Sequence, residues 1–168
     1  MSDELKWPGR AVEKARAAHE KGWVVVLVTG VFDGGLHEAH RDFLSKAKDC
    51  GEWLVVGVES DRRARELKGE DRPTRGERER AREVLREDCV DGVVILPEEF
   101  GEKAVRRAVL EELEPDILAV STGTLHLLEK KKMMEEIDGK LVAVKRTDSS
   151  FSTTKKLADA RLFGDSHC

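Results

Sequence analysis

His37 and His40 stand three residues apart at the start of an amphipathic stretch, directly behind the turn Gly30-Val31-Phe32-Asp33-Gly34-Gly35. On a helix, that spacing puts both imidazoles on one face of the first turn. The first N–H groups of a helix have no intrahelical partner and carry the positive end of its dipole, so they favour an anion in the preceding turn. Imidazoles beside that anion add two proton donors that can be cationic near neutral pH. Gly34 and Gly35 let the chain turn sharply and approach a ligand closely. The chemistry suited to this arrangement is the binding of a phosphate with two extra donors. A two-histidine metal site competes with it, but no zincin-type Glu pattern or Cys-x-x-Cys pair accompanies the histidines.

Such a turn needs a strand before it and a helix after it. Residues 24–28 are apolar and mostly β-branched, as in the central strand of a parallel sheet. Residues 37–48 read as a helix with Leu36, Phe43, Leu44 and Ala47 inward. Further strands are predicted over 53–58, 90–96, 116–120 and 141–144. Further helices are predicted over 8–20, 61–67, 76–86, 102–113, 125–137 and 152–163, with a loop at 68–75. This alternation predicts an α/β fold, a doubly wound five-stranded parallel sheet built from right-handed βαβ units. Such sheets bind ligands beyond the carboxyl ends of the strands, where strand order reverses. Each residue group singled out here follows a strand end or opens the next helix.

The length suits one domain over residues 1–168, with a lead-in helix in 1–21 and a core in 22–163. With 30 basic and 34 acidic residues, the net charge of −4 argues against a general nucleic-acid or membrane-surface binder. No apolar run is long enough to span a membrane, and the polar first ten residues do not read as a signal peptide. Cys50, Cys89 and Cys168 are odd in number and far apart, so no disulfide framework is expected; Cys50 and Cys89 are expected as small buried residues. The expected compartment is a reducing cytoplasm. Asn, Gln and Tyr are absent while 38% of residues are charged, which fits a thermophilic origin or a GC-rich coding bias.

The pair Gly30-Val31-Phe32-Asp33 and His37-Glu38-Ala39-His40 resembles the G-x-F-D and H-x-G-H signature of the nucleotidyltransferase superfamily. Val56-Gly57-Val58-Glu59-Ser60-Asp61 is similar to the second strand and terminal Asp of its cytidylyltransferase-like branch. Lys68-Gly69-Glu70-Asp71-Arg72-Pro73 resembles that branch's K-G-x-x-R-P loop, and Arg80 falls on the arginine of the following helix. Arg146-Thr147 followed by Ser152-Thr153-Thr154 looks like the R-T and S-T-T signature. Within the branch, the resemblance is strongest to the adenylyltransferase domains of ADP-heptose synthases and next to glycerol-3-phosphate cytidylyltransferases.

The resemblance implies a Rossmann-like nucleotidyltransferase fold and transfer of AMP or CMP from ATP or CTP to a phosphorylated sugar or polyol, with pyrophosphate released. Heptose 1-phosphate is the preferred acceptor. His37, His40, Lys68 and Arg146 are the implied catalytic residues. Thr29, Gly30, Val31, Phe32, Asp33, Arg80, Thr147, Ser152, Thr153 and Thr154 are implied to hold the nucleotide. Asp61, Arg72, Ser121, Thr122, Gly123 and Thr124 are assigned to the acceptor. Mg2+ is expected chiefly on the substrate phosphates, with Asp33 a minor ligand. The expected partners are the triphosphate, the phosphorylated acceptor and a second copy of the chain in a homodimer.

Two expectations rest on local composition alone. Arg80, between Arg78 and Arg82, reads as part of a solvated face, and the charge run 129–136 reads the same way. Three departures from the family pattern bear on substrate identity. Gly34, Gly35 and Leu36 make three residues between Asp33 and His37 where the family has two. Ala39 replaces the glycine of H-x-G-H, which motivates the alternative of a nucleotide-binding module without catalysis. The uncharged Ser121-Thr122-Gly123-Thr124 stands where the family carries an acidic loop. That loop, taken alone, predicts an acceptor more anionic or less rich in hydroxyls than heptose phosphate.

Overall fold

The computed structural model describes residues 4–145. Arg146, Thr147, Ser152, Thr153, Thr154 and the helix predicted over 152–163 lie outside the described residues.

The apolar run forms β1 (Val25–Gly30), followed by α2 (Glu38–Lys48), β2 (Trp53–Val58), α3 (Asp61–Lys68) and α4 (Glu77–Leu85). Then come β3 (Gly92–Ile95), α5 (Lys103–Leu113), β4 (Ile117–Ser121), α6 (Leu127–Glu136) and β5 (Lys140–Val144), while α1 (Ala11–Glu20) precedes them all. Among the described residues the five strands make one sheet in the order β3-β2-β1-β4-β5. Every ladder in it is parallel. The chain builds outward from β1 to β3, then returns to the other side of β1 with β4. Strand order therefore reverses between β1 and β4, and the crevice expected in such sheets opens at their carboxyl ends.

Alternation along β1 divides the core into two faces. Val25 and Leu27 pack with Ala11, Ala15, Ala18, Val109, Leu110 and Met134, under α1, α5 and α6. Val26 and Val28 pack with Leu44, Ala47, Ala81 and Val84, under α2 and α4. With both faces covered, the central strands stay apolar throughout, which is why β1 and β2 read as unbroken hydrophobic runs.

The first helix begins at Ala11 rather than at residue 8, because the preceding segment does other work. Lys6 forms a parallel bridge with Ile95, Trp7 N–H donates to Ile95 O at 2.9 Å, and Ile95 N–H donates to Leu5 O at 2.6 Å. These bonds satisfy the otherwise open edge of β3. Cys50 and Cys89 are half-buried rather than core residues, and Cys89 is a free thiol. Among the described residues, no helix is long and apolar enough to cross a membrane.

Candidate active site

Thr29 and Gly30 still belong to the sheet, paired with Gly57 and Val58. The chain then reverses through left-handed backbone at Phe32 (φ 54°), Gly34 (φ 78°) and Gly35 (φ 88°). Phe32 lacks glycine's freedom there, and a strained residue of this kind persists only when its surroundings hold it. Its buried ring lies against Gly30, where a Cβ would come within 2.9 Å of the ring, and edge-on to His40 with centroids 5.6 Å apart. Gly30 is thus needed for close packing, and Phe32 ties the turn to the second histidine.

His37 is the N-cap of α2 with extended backbone, and its side chain makes no capping bond. The imidazoles of His37 and His40 stack with centroids 3.8 Å apart and planes 19° apart. Two imidazoles this close can donate together to one anion. The stack sits at the positive end of α2, where such an anion is also favoured by the helix.

A cleft of about 360 Å3 joins these groups. It is lined by Thr29, Gly30, Val31, Phe32, Asp33, His37, His40, Lys68, Arg72 and Ser121, all of them singled out from the sequence. Lys68 reaches it from the last turn of α3 rather than from a loop. Ala39 and Phe43, from α2, complete the wall. Removing the Ala39 methyl group should enlarge this cleft. A39G is expected to change triphosphate Kd or nucleotide preference, measured by calorimetry, while costing at most about 1 kcal/mol of stability. Unchanged binding across the nucleotides would make Ala39 a neutral departure.

Asp33 does not stand open to a cation. Its side chain, 4% exposed, accepts from Thr74 N–H at 3.0 Å, Thr74 Oγ1 at 2.9 Å and Arg75 N–H at 3.3 Å, and pairs with Arg72 Nη1 at 3.1 Å. Burial alone would raise its pKa, but the bonds from Thr74, Gly34 and Arg75 outweigh it and hold the carboxyl below its ordinary value. With its lone pairs taken, Asp33 does not fit the role of metal ligand. It pins the 68–75 loop against the turn instead. Among the described residues, no group of three or more His, Cys, Asp or Glu side chains is arranged to hold a metal ion.

Arg80 departs most from expectation. It is completely buried, while Arg78 and Arg82 are exposed. Its Nε donates to Arg75 O at 3.0 Å, its Nη1 to Val31 O at 2.7 Å and Glu59 O at 2.9 Å, and its Nη2 to Asp61 Oδ1 at 2.8 Å. Four of the five guanidinium donors are consumed inside the protein. Arg80 is therefore a strut that fastens the turn after β1, the end of β2 and the 68–75 loop to α4, rather than a nucleotide ligand or a solvated residue. Asp61, assigned to the acceptor, is drawn into the same strut and lines neither cavity.

The loop after β4 splits. Ser121 lines the cleft, whereas Thr124 faces a second cavity, and its Oγ1 donates to Ser121 O at 2.7 Å. Thr122 and Gly123 line neither. The second cavity, of about 480 Å3, shares Thr29, Gly30, Val31 and Lys68 with the first. Its wall includes Glu59, Arg63, Arg106 and Lys130, none of which sequence reasoning assigned to a site. A usable signal existed for Glu59, which directly follows the buried strand β2 and so must stand at a carboxyl end. Glu129 and Lys130 belong to the run expected to be a solvated face, but both are half-buried and line this cavity.

Burial pushes the Glu59 carboxyl above its ordinary pKa, against the pull of Arg63, Lys130 and Arg106. A folded-state pKa above the unfolded one contributes stability that is complete below the ordinary range and lost as pH rises through the raised value. E59Q is therefore expected to melt at a higher temperature than the parent at pH 8. The difference should vanish as pH falls below the ordinary glutamate value of about 4.3, and a calorimetric scan at several pH values checks it.

The sequence model of the cytidylyltransferase-like family matches residues 27–161. The bifunctional protein HldE of Geobacter metallireducens is 36% identical over 154 residues, which are 91% of this chain and 29% of that protein. The protein of the same name from Citrifermentans bemidjiense is 44% identical over 100 residues, 60% of this chain and 19% of that protein. The chain thus spans less than a third of these curated relatives. The crystal structure of the lipopolysaccharide core biosynthesis protein from Thermoplasma volcanium matches with a TM-score of 0.66 at 27% identity, covering 76% of this chain and 100% of that one. Pantothenate synthetase from Thermus thermophilus shares the fold, with a TM-score of 0.56 at 18% identity over 89% of this chain and 69% of that one.

Proposed function

The chain belongs to the cytidylyltransferase-like family, and we propose that it transfers AMP from ATP to a sugar phosphate, with heptose 1-phosphate the favoured acceptor. The observation that carries this reading is the stacked pair His37 and His40 at the positive end of α2, with Lys68 on the same cleft. In the reaction, a phosphate oxygen of the acceptor attacks the α-phosphorus of the triphosphate. The bond from that phosphorus to the oxygen bridging to the β-phosphate breaks, and pyrophosphate leaves with the bonding pair. Charge gathers on the α-phosphate oxygens and on the leaving group, so the protein contributes position and positive potential. His37 and His40 donate to those oxygens, and Lys68, on the same cleft, neutralises charge. Thr29 to Phe32 bring backbone close to the phosphates. Arg146, Thr147, Ser152, Thr153 and Thr154 belong to the same proposal through their motif positions and lie outside the described residues. Mg2+ bound through the substrate phosphates would add further neutralisation there. The likeness of the motifs to those of ADP-heptose synthases, together with the HldE relatives, supports ATP and heptose over CTP and glycerol phosphate.

Pyrophosphate release over a panel of ATP, CTP, GTP and UTP against heptose 1-phosphate, hexose 1-phosphates and glycerol 3-phosphate tests this. The highest kcat/KM is expected for ATP with heptose 1-phosphate. Dominant turnover of CTP with glycerol 3-phosphate would replace the instance, and triphosphate binding without turnover of any acceptor would replace the reaction by a binding role.

A further inference from the structure

The second cavity contains a polar pair left incomplete by the protein. Glu59 is 6% exposed, and neither its Oε2 nor the Nε of Arg63 has a hydrogen-bond partner among the described residues. The two atoms face each other at 3.6 Å, close enough for ionic attraction but beyond hydrogen-bond reach. Buried polar atoms are almost always paired, so an acceptor and a donor side by side on a cavity wall call for a group that satisfies both. A hydroxyl does so, donating to the carboxylate while accepting from the guanidinium.

The remaining charges point to the same chemistry. Arg106 Nη2 is paired with Glu129 at 3.1 Å, and Arg63 Nη1 with Glu66 at 2.7 Å. Lys130 is drawn below its ordinary pKa by burial and by Arg106. Glu59 and Glu129 thus stand among Arg63, Lys68, Arg106 and Lys130, so the cavity wall offers acceptors and donors side by side. Such a wall suits a polyhydroxylated body, whose hydroxyls donate to the carboxylates and accept from the cations. Lys68 stands where the two cavities meet, so a reactive phosphate can lie in the first while the body that carries it occupies the second.

We propose that the second cavity is the subsite for the acceptor's polyhydroxylated body, and that Glu59 and Arg63 together bind one of its hydroxyls and select sugar phosphates over short alcohol phosphates. The carboxylate missing from the 121–124 loop is thereby supplied from the end of β2, which reverses the preference expected from that loop alone. The assignment rests on the nucleotidyltransferase reading for the word acceptor, but its test does not require turnover.

Calorimetric binding of heptose 1-phosphate, glycerol 3-phosphate and ATP would be compared for the parent chain, E59Q and R63K. E59Q is nearly isosteric and keeps the wall filled; R63K keeps the charge but loses Nε. Each substitution is expected to weaken heptose 1-phosphate binding about tenfold or more, the scale of one hydrogen bond to a charged group. Glycerol 3-phosphate and ATP should stay within about twofold, inside the range of an unaltered contact. Equal weakening of both phosphates, a matching loss for ATP, or no change in any ligand would each overturn the proposal. If pyrophosphate release is absent while the sugar-selective loss is seen, the subsite stands and the reaction assignment falls.

Discussion

H40A is expected to lower kcat by about 10²–10³, the usual loss when one preorganised transition-state donor is removed. The imidazole faces the cleft, stacked on His37, at the point where α-phosphate charge would develop. The fold should survive, because His40 is half-buried near the start of α2, with its ring against the edge of Phe32. Loss of that edge should cost no more than about 1 kcal/mol of the stability measured by urea unfolding. Triphosphate Kd should change far less than kcat, since the N-terminus of α2, Lys68 and the turn remain. A variant within threefold of the parent would remove His40 from the chemistry.

R80M is expected to destabilise the chain by about 2–6 kcal/mol, because the buried carbonyls of Val31 and Glu59 lose their donors at about 1–3 kcal/mol each. The carboxylate of Asp61 and the carbonyls of Val31, Glu59 and Arg75 would each lose a donor. Against a total of about 5–15 kcal/mol for a domain, such a loss shows at once in the denaturant midpoint. The same carbonyls belong to the turn after β1 and the end of β2, so kcat and KM should worsen together. If Arg80 instead acted only by touching nucleotide, KM would rise with the midpoint unmoved. R80K separates the two cases further, because a lysine keeps the charge but cannot span four acceptors in a fork.

The strand, turn and helix that carry His37 and His40 were readable because each depends on near neighbours. A β-branched run favours a buried strand, glycines permit left-handed backbone, and a spacing of three puts two side chains on one helical face. The order of strands and helices was readable for the same reason, and with it the crevice at the carboxyl end of β1. Element ends were less legible where distant backbone took part, as at Leu5 to Trp7 against Ile95.

Arg78, Arg80 and Arg82 are alike in type and context, and only packing decides that Arg80 turns inward with Ala81 and Val84 on the buried face of α4. Asp33 was legible as a turn residue, but its saturation by Thr74, Arg75 and Arg72 depends on a loop about forty positions away folding back onto it. Glu59, Arg63, Arg106 and Lys130 come from the end of β2 and from α3, α5 and α6. No local pattern links charged residues so far apart in a chain that is 38% charged. Sequence alone therefore determined the α/β class, the glycine turn after β1 and the placing of its two histidines, because local sterics and periodicity suffice for them. The tertiary structure decided which arginine becomes a strut and which charges share a cavity, because burial and pairing are settled only when distant segments meet.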